Sequence, residues 1–138
     1  MKILNRKFLI LFLVFCGCCV SGLILEVHRA TSRHILAESK NTELALRLLA
    51  YDYYSRDQQI YNPLSPDGLA EGVAERVREM SGAEGTLILG SWDAGRQAPR
   101  NFTYITGKFV VVYNFDEQEE SRWKLCYQFR EAAKPEWQ

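Results

Sequence analysis

Residues 8–25 read FLILFLVFCGCCVSGLIL and contain no charged side chain. At roughly 1.5 Å of rise per residue, this run spans about 27 Å as a helix, close to the ~30 Å hydrocarbon core of a bilayer. From Leu23 to Tyr61 there is no Pro or Gly, and helix formers dominate between Ala30 and Ala50,. The pattern predicts a single helix that leaves the apolar run and continues as a stalk over residues 26–59. Apolar positions at 44, 48 and 51, and at 45, 49 and 53, predict one wide apolar stripe on its distal half,. The stripe is weak from His28 to Lys40. The near half is therefore expected to be exposed and the distal half packed on its own domain.

Tyr61-Asn62-Pro63-Leu64-Ser65-Pro66-Asp67-Gly68 is rich in breakers and predicts a loop,. Ser65 as N-cap and Pro66 at the first helical position predict a short helix over 66–81, with Leu69, Val73, Val77 and Met80 on one face and Gly82 ending it. Beyond it the period changes to two. Four strands are predicted over 86–89, 101–106, 108–115 and 122–130. In the fourth, Trp123, Leu125, Tyr127 and Phe129 are expected to be buried, and Lys124, Cys126, Gln128 and Arg130 wet. The short connection at 116–121 favours antiparallel neighbours, and residues 132–138 form a tail. The fold class is thus α+β: an N-terminal transmembrane helix continuing into a long amphipathic helix, then a short helix and a small antiparallel sheet of four strands. The domains follow as a basic leader at 1–7, an anchor at 8–25, the stalk at 26–59 and an extracytoplasmic domain at 60–131.

Charge adds orientation. Lys2, Arg6 and Lys7 are the only charges before Glu26, and by the positive-inside tendency they hold the N-terminus in the cytoplasm. The remainder, with all 17 acidic groups and three fewer basic ones, is mildly acidic and offers no electrostatic footprint for nucleic acid,. The expected location is a cell membrane, crossed once. Two other fates compete for the apolar run. Val20-Ser21-Gly22 presents small residues for signal cleavage, but the run exceeds a usual signal core and continues through Leu25. Phe15-Cys16-Gly17-Cys18 loosely fits a lipobox, which would lipidate Cys18. Outside the run the only cysteine is Cys126, so no disulfide within the domain is possible and packing alone holds it,.

Candidate chemistry is sparse. His28 and His34 lie about 240° apart around a helix and have no partners at metal-ligand spacing, so no metal site is expected. No nucleophile elbow or phosphate loop occurs, and neither an enzyme nor a cofactor is expected. Asp116, Glu117, Glu119 and Glu120 read as a solvated turn. Asn101-Phe102-Thr103 matches a glycosylation sequon. Gly17, Cys18, Ser21 and Gly22 form a small-residue face suited to helix packing in a bilayer. Glu26 closes the apolar run, as a helix stop or a subunit contact. Tyr53, Tyr54 and Tyr61 are candidates for a partner-facing surface.

The layout of basic leader, apolar helix, amphipathic extension and small antiparallel sheet resembles type IV pilin-like proteins, and TadE-like pseudopilins in particular. Val73-Ala74-Glu75-Arg76-Val77-Arg78-Glu79-Met80-Ser81-Gly82, followed by Ile105-Thr106-Gly107-Lys108-Phe109-Val110-Val111-Val112, is similar to their order of helix, strand, Gly and strand. The resemblance implies a non-catalytic structural or assembly subunit of a surface filament or secretion machine. Its partners would be the bilayer and other membrane or filament subunits, including other copies of itself. The competing expectation is a membrane-tethered ligand-binding or sensory ectodomain.

Overall fold

The computed structural model describes residues 2–115 and 122–128; side chains of residues 2–9 and 11 lie outside the description. The expected turn at 116–121, with its acidic cluster, and residues 129–138, including Phe129, Arg130 and the tail, fall outside the described residues. The chain divides into two units, Met1–His34 and Ile35–Gln138.

One helix, α1 (Lys2–Tyr54), runs through the whole N-terminal part. Within the first unit its apolar side chains are exposed: Phe15 and Leu23 at 66%, Leu25 at 61%. It is long and apolar enough to cross a membrane. Ser21 does not interrupt the apolar character, because its hydroxyl donates to the Gly17 carbonyl (2.8 Å) and the Cys18 carbonyl (3.0 Å) of its own helix,.

The second unit is built on a four-stranded antiparallel sheet in the order β1 (Thr86–Asp93), β2 (Ala98–Thr106), β3 (Phe109–Asn114), β4 (Arg122–Tyr127). In-register pairs such as Leu87↔Tyr104, Tyr104↔Val111 and Val111↔Leu125 place one row of large side chains on one face. That face supplies Leu87, Leu89, Phe102, Tyr104, Val111 and Tyr113 to the core. α1 closes it with Ile35, Ala45, Leu46, Leu49 and Ala50. Phe102 stacks on Tyr113 at 5.0 Å, and Trp123 meets Phe102 edge-on at 5.7 Å, an arrangement worth more than area burial alone.

Several boundaries differ from the sequence expectation, each for a local reason. α1 stops at Tyr54 rather than near 59. Asp57 adopts a left-handed φ of 59°, and the Gln58 N–H folds back onto the Tyr53 carbonyl at 2.9 Å. This is a capping geometry that glycine usually supplies, and no glycine marks it here.

The second helix, α2 (Val73–Ser81), begins seven residues after Pro66, behind Gly72 in the left-handed conformation. Ser65 and Pro66 do not start it. The Asp67 carboxylate accepts from the Ser65 hydroxyl (2.5 Å) and the Leu69 N–H (3.1 Å), which folds 65–69 into a turn. Gly68 has φ 72°, and a Cβ there would lie 1.9 Å from the Leu89 carbonyl oxygen. Only glycine fits that turn, and a helix cannot run through it. Leu69 is still buried, but through a bridge to Tyr61 rather than on a helix face. Val73 and Val77 enter the core as expected, whereas Met80 is 51% exposed. Gly82 caps the end, its N–H donating to the Arg78 carbonyl at 2.9 Å.

The distal stripe of α1 splits. Ala45 and Leu49 are buried, while Leu44, Leu48 and Tyr51 are exposed. Strands β1 and β2 run longer than predicted because their register shifts at Leu89/Ser91 and Ser91/Trp92, letting pairing continue to Asp93↔Ala98, as bulges allow. In β4, Trp123 and Leu125 pack toward the core, but Tyr127 is 42% exposed and Cys126 is half-buried. β4 is the last strand of the sheet, and there Tyr127 meets Phe109 edge-on at 5.1 Å between centroids.

Candidate interaction surfaces

Three sets of residues carry the candidate functions. The first lies on the apolar half of α1. Gly17, Cys18, Ser21 and Gly22 occupy one side of it, and a Cβ at either glycine would meet nothing within 4 Å. Glu26 is exposed on the same helix. Among the described residues Cys16, Cys18, Cys19 and Cys126 are all free thiols. His28 and His34 are both exposed positions of α1, and among the described residues no cluster of three metal-ligating side chains occurs.

The second set is the tyrosines at the end of α1. The structure separates them. Tyr53 packs against the core with the Arg76 guanidinium 5.9 Å from its ring centre. Tyr61 also packs on the core, and its hydroxyl donates to the Gly90 carbonyl at 3.2 Å. Tyr54 is 68% exposed, and its exposed neighbour is Tyr51 rather than Tyr53 or Tyr61. The exposed apolar surface here is therefore Leu44, Leu48 and Tyr51 on α1, joined by Met80 of α2. A shallow groove of about 290 Å³ runs beside it, lined by Leu48, Leu49, Asp52, Arg76, Glu79 and Met80.

The third set is a polar network that sequence reasoning missed. The Tyr104 hydroxyl, inside the core, donates to the Glu38 carboxylate (2.5 Å) and accepts from the Gly85 N–H (2.8 Å). The same Glu38 oxygen accepts from the Glu84 N–H at 2.8 Å. Burial, then the Glu38 carboxylate, pushes the Tyr104 phenol far above its ordinary value, so it stays a donor at every physiological pH,. Next to it along α1, Arg47 pairs with Glu43. Burial pulls the Arg47 guanidinium down, but the hydrogen bond and charge of Glu43 outweigh it and hold it above the usual value. Tyr113 is raised by burial first and by the charge of Glu43 second. Its hydroxyl is buried without a hydrogen-bond partner among the described residues.

Glu38 lies 66 residues from Tyr104 in sequence. Nothing local announces such a pair; only a glutamate on the otherwise buried side of a helix hints at it. The arrangement ties α1 to the β1 entrance and to β2.

The sequon lies inside β2, where Asn101 pairs with Ser91 and Asn114 and Phe102 is 1% exposed. At the C-terminal end of β1, the Asp93 carboxylate accepts from the Gly95 (3.0 Å) and Arg96 (3.1 Å) N–H groups. Those bonds, the one from Arg96 foremost, hold it below the usual carboxylate range, with Arg100 3.6 Å away adding to the effect.

No protein-family model, no curated protein and no solved structure matches this chain.

Proposed function

We propose that this chain is a membrane-anchored, non-catalytic structural or assembly subunit, of the kind found in surface filaments and secretion machines. The observation that carries the reading is the first unit of α1. Its described large apolar side chains, Ile10 and those from Phe12 to Val27, are exposed at 53% to 66%. Water does not tolerate a contiguous apolar surface of that length; a bilayer does, because the helix satisfies every backbone hydrogen bond internally.

In this reading the N-terminus is cytoplasmic and the α+β unit is on the far side. The helix packs on other membrane helices through Gly17, Cys18, Ser21 and Gly22, whose small side chains let backbones approach. Glu26 marks the border. No Gly precedes Phe8, and the apolar run lies before Gly22 and Glu26 rather than after them. In this reading the N-terminal helix is kept as an anchor rather than trimmed in the manner of a pilin. The layout resemblance to pilin-like proteins supports the assembly role.

The test is replacement of Gly17 and Gly22 by Leu in the full-length chain, read by a membrane two-hybrid assay. Self-association should fall several-fold while the folded unit's thermal transition is unchanged. Unchanged association would remove the helix-packing role. A small molecule that raised the thermal transition of the wild-type protein would favour the sensory alternative instead.

A further inference from the structure

The first unit of α1 ends in a short basic segment just past its apolar run. Glu26 is the only acidic residue before Glu38, and Arg29 and Arg33 follow it within two turns. Both arginines are exposed. On the folded unit, Arg47, Arg56, Arg76 and Arg100 each meet the carboxylate of Glu43, Asp52 or Asp93. Among the described residues, neither Arg29 nor Arg33 makes an ion pair of that kind.

Helix geometry sets their height and direction. At roughly 1.5 Å of rise per residue, Arg29 lies about 6 Å beyond Leu25 along the axis and Arg33 about 12 Å. A headgroup layer adds about 5–8 Å to each side of a hydrocarbon core. Side chains on a helix lean toward its N-terminus. Here that is the direction of the apolar run, so long side chains at 29 and 33 can extend back to its border. Leu25, Arg29 and Arg33 are four apart and share one strip of the helix. The helix stays regular through this stretch. The Thr31 hydroxyl donates to the Val27 carbonyl at 2.8 Å and the Ser32 hydroxyl to the His28 carbonyl at 2.9 Å, so both hydroxyls between the arginines bond inward,.

We propose that Arg29 and Arg33 clamp the phosphate of an anionic lipid headgroup and so hold the helix at a fixed depth in the bilayer. The inference rests on the membrane-anchored reading above. A guanidinium matches a phosphate through two parallel N–H donors. Long basic side chains near a helix end keep their stems against apolar surroundings and their charged heads at the interface. An anionic lipid adds net charge to the phosphate, and each arginine beside such a surface is worth roughly fivefold in local affinity. Glu26, three residues before Arg29 at the same border, opposes part of that attraction.

The test uses the full-length protein in vesicles of equal parts phosphatidylglycerol and phosphatidylcholine. Its four native cysteines are replaced by serine, and Leu25→Cys carries a bimane label one turn below Arg29. Acyl-chain bromines placed on one lipid at a time quench the label and report which lipid lies beside it. The glycerol lipid should be preferred by roughly threefold or more, and 0.5 M salt should shrink the preference. Arg29→Gln combined with Arg33→Gln should bring the two lipids to about equal quenching. Glu26→Gln should raise the preference, and Arg78→Gln, on α2, should leave it unchanged. Equal quenching by the two lipids in the chain that keeps both arginines overturns the clamp and leaves the anchor standing. A preference that survives in the double variant also overturns the clamp. Absence of quenching by either lipid overturns the membrane-anchored reading itself, and the clamp with it.

Discussion

Leu25 and Leu46 lie on the same helix and differ completely in their surroundings. Leu25 is 61% exposed and Leu46 is 0% exposed. Near Leu25, the apolar side chains point outward on every side and nothing in the unit covers them. Near Leu46, only the apolar residues on the side that meets the sheet are buried, while Leu44, Leu48 and Tyr51 stay exposed, and the polar residues on the buried side, Ser39 and Thr42, return their hydroxyls to the helix's own carbonyls at 2.8 and 2.9 Å. A helix apolar all round asks for an apolar solvent, whereas one apolar on a stripe asks for a partner layer. One unbroken helix carries both patterns in succession, so length and helix propensity alone do not mark where the all-round apolar segment ends and the domain begins.

The contrast can be broken most severely at Leu46. Leu46→Ala should cost about 2–5 kcal/mol, the usual range for emptying a fully buried leucine site. Leu48→Ala, two residues on and 53% exposed, should cost the folded unit well under 1 kcal/mol. Chemical denaturation of the full-length protein in mild detergent, followed through Trp92 and Trp123, measures both. Equal losses would mean that the two sides of α1 are not different.

A smaller effect is expected at the polar network. Tyr104→Phe removes the donor to Glu38 and strands the Gly85 N–H, and should cost about 1–3 kcal/mol. Its signature is that Glu38→Gln in the Tyr104→Phe background adds little further, because the two residues act as one unit. Additive losses would show that Glu38 and Tyr104 stabilise the domain independently.

The smallest effect is at the β1–β2 turn. Asp93 has a depressed folded value, so its contribution is present above the ordinary aspartate range, near 3.9. It is lost as pH falls through that lower folded value. Acidification below about pH 4 should lower the melting temperature of the wild type slightly more than that of Asp93→Asn. An identical acid response would remove Asp93 from the turn's stability.

Much of the architecture was legible in the residues. The two periods, 3.6 before Gly82 and 2 after Gly85, divided helix from strand, and the alternation in the fourth strand put Trp123 and Leu125 on the core face of the sheet. What escaped was tertiary or capping geometry. The end of α1 depends on Asp57 taking a left-handed conformation, which no glycine advertises. The start of α2 depends on Gly68 lying against the Leu89 carbonyl, a contact with a strand about twenty residues away. The stripe at 44–53 was read as one face because leucines and tyrosines occupy both sides of the helix there; only the position of the sheet decides which ones are covered. For the candidate site the small-residue face and Glu26 could be picked out from sequence, but the separation of Tyr54 from Tyr53 and Tyr61 and the Glu38–Tyr104 pair could not, since both follow from contacts across the fold.

The central claim is that the apolar half of α1 resides in a lipid bilayer. Alkaline carbonate extraction of membranes carrying the full-length protein tests it most directly. The account predicts that the chain stays in the membrane pellet, and that Leu13→Lys combined with Val20→Lys releases it, since a charge at the centre of a spanning helix costs about 2.5–3.5 kcal/mol each. Recovery of the unmodified protein in the soluble fraction would contradict it.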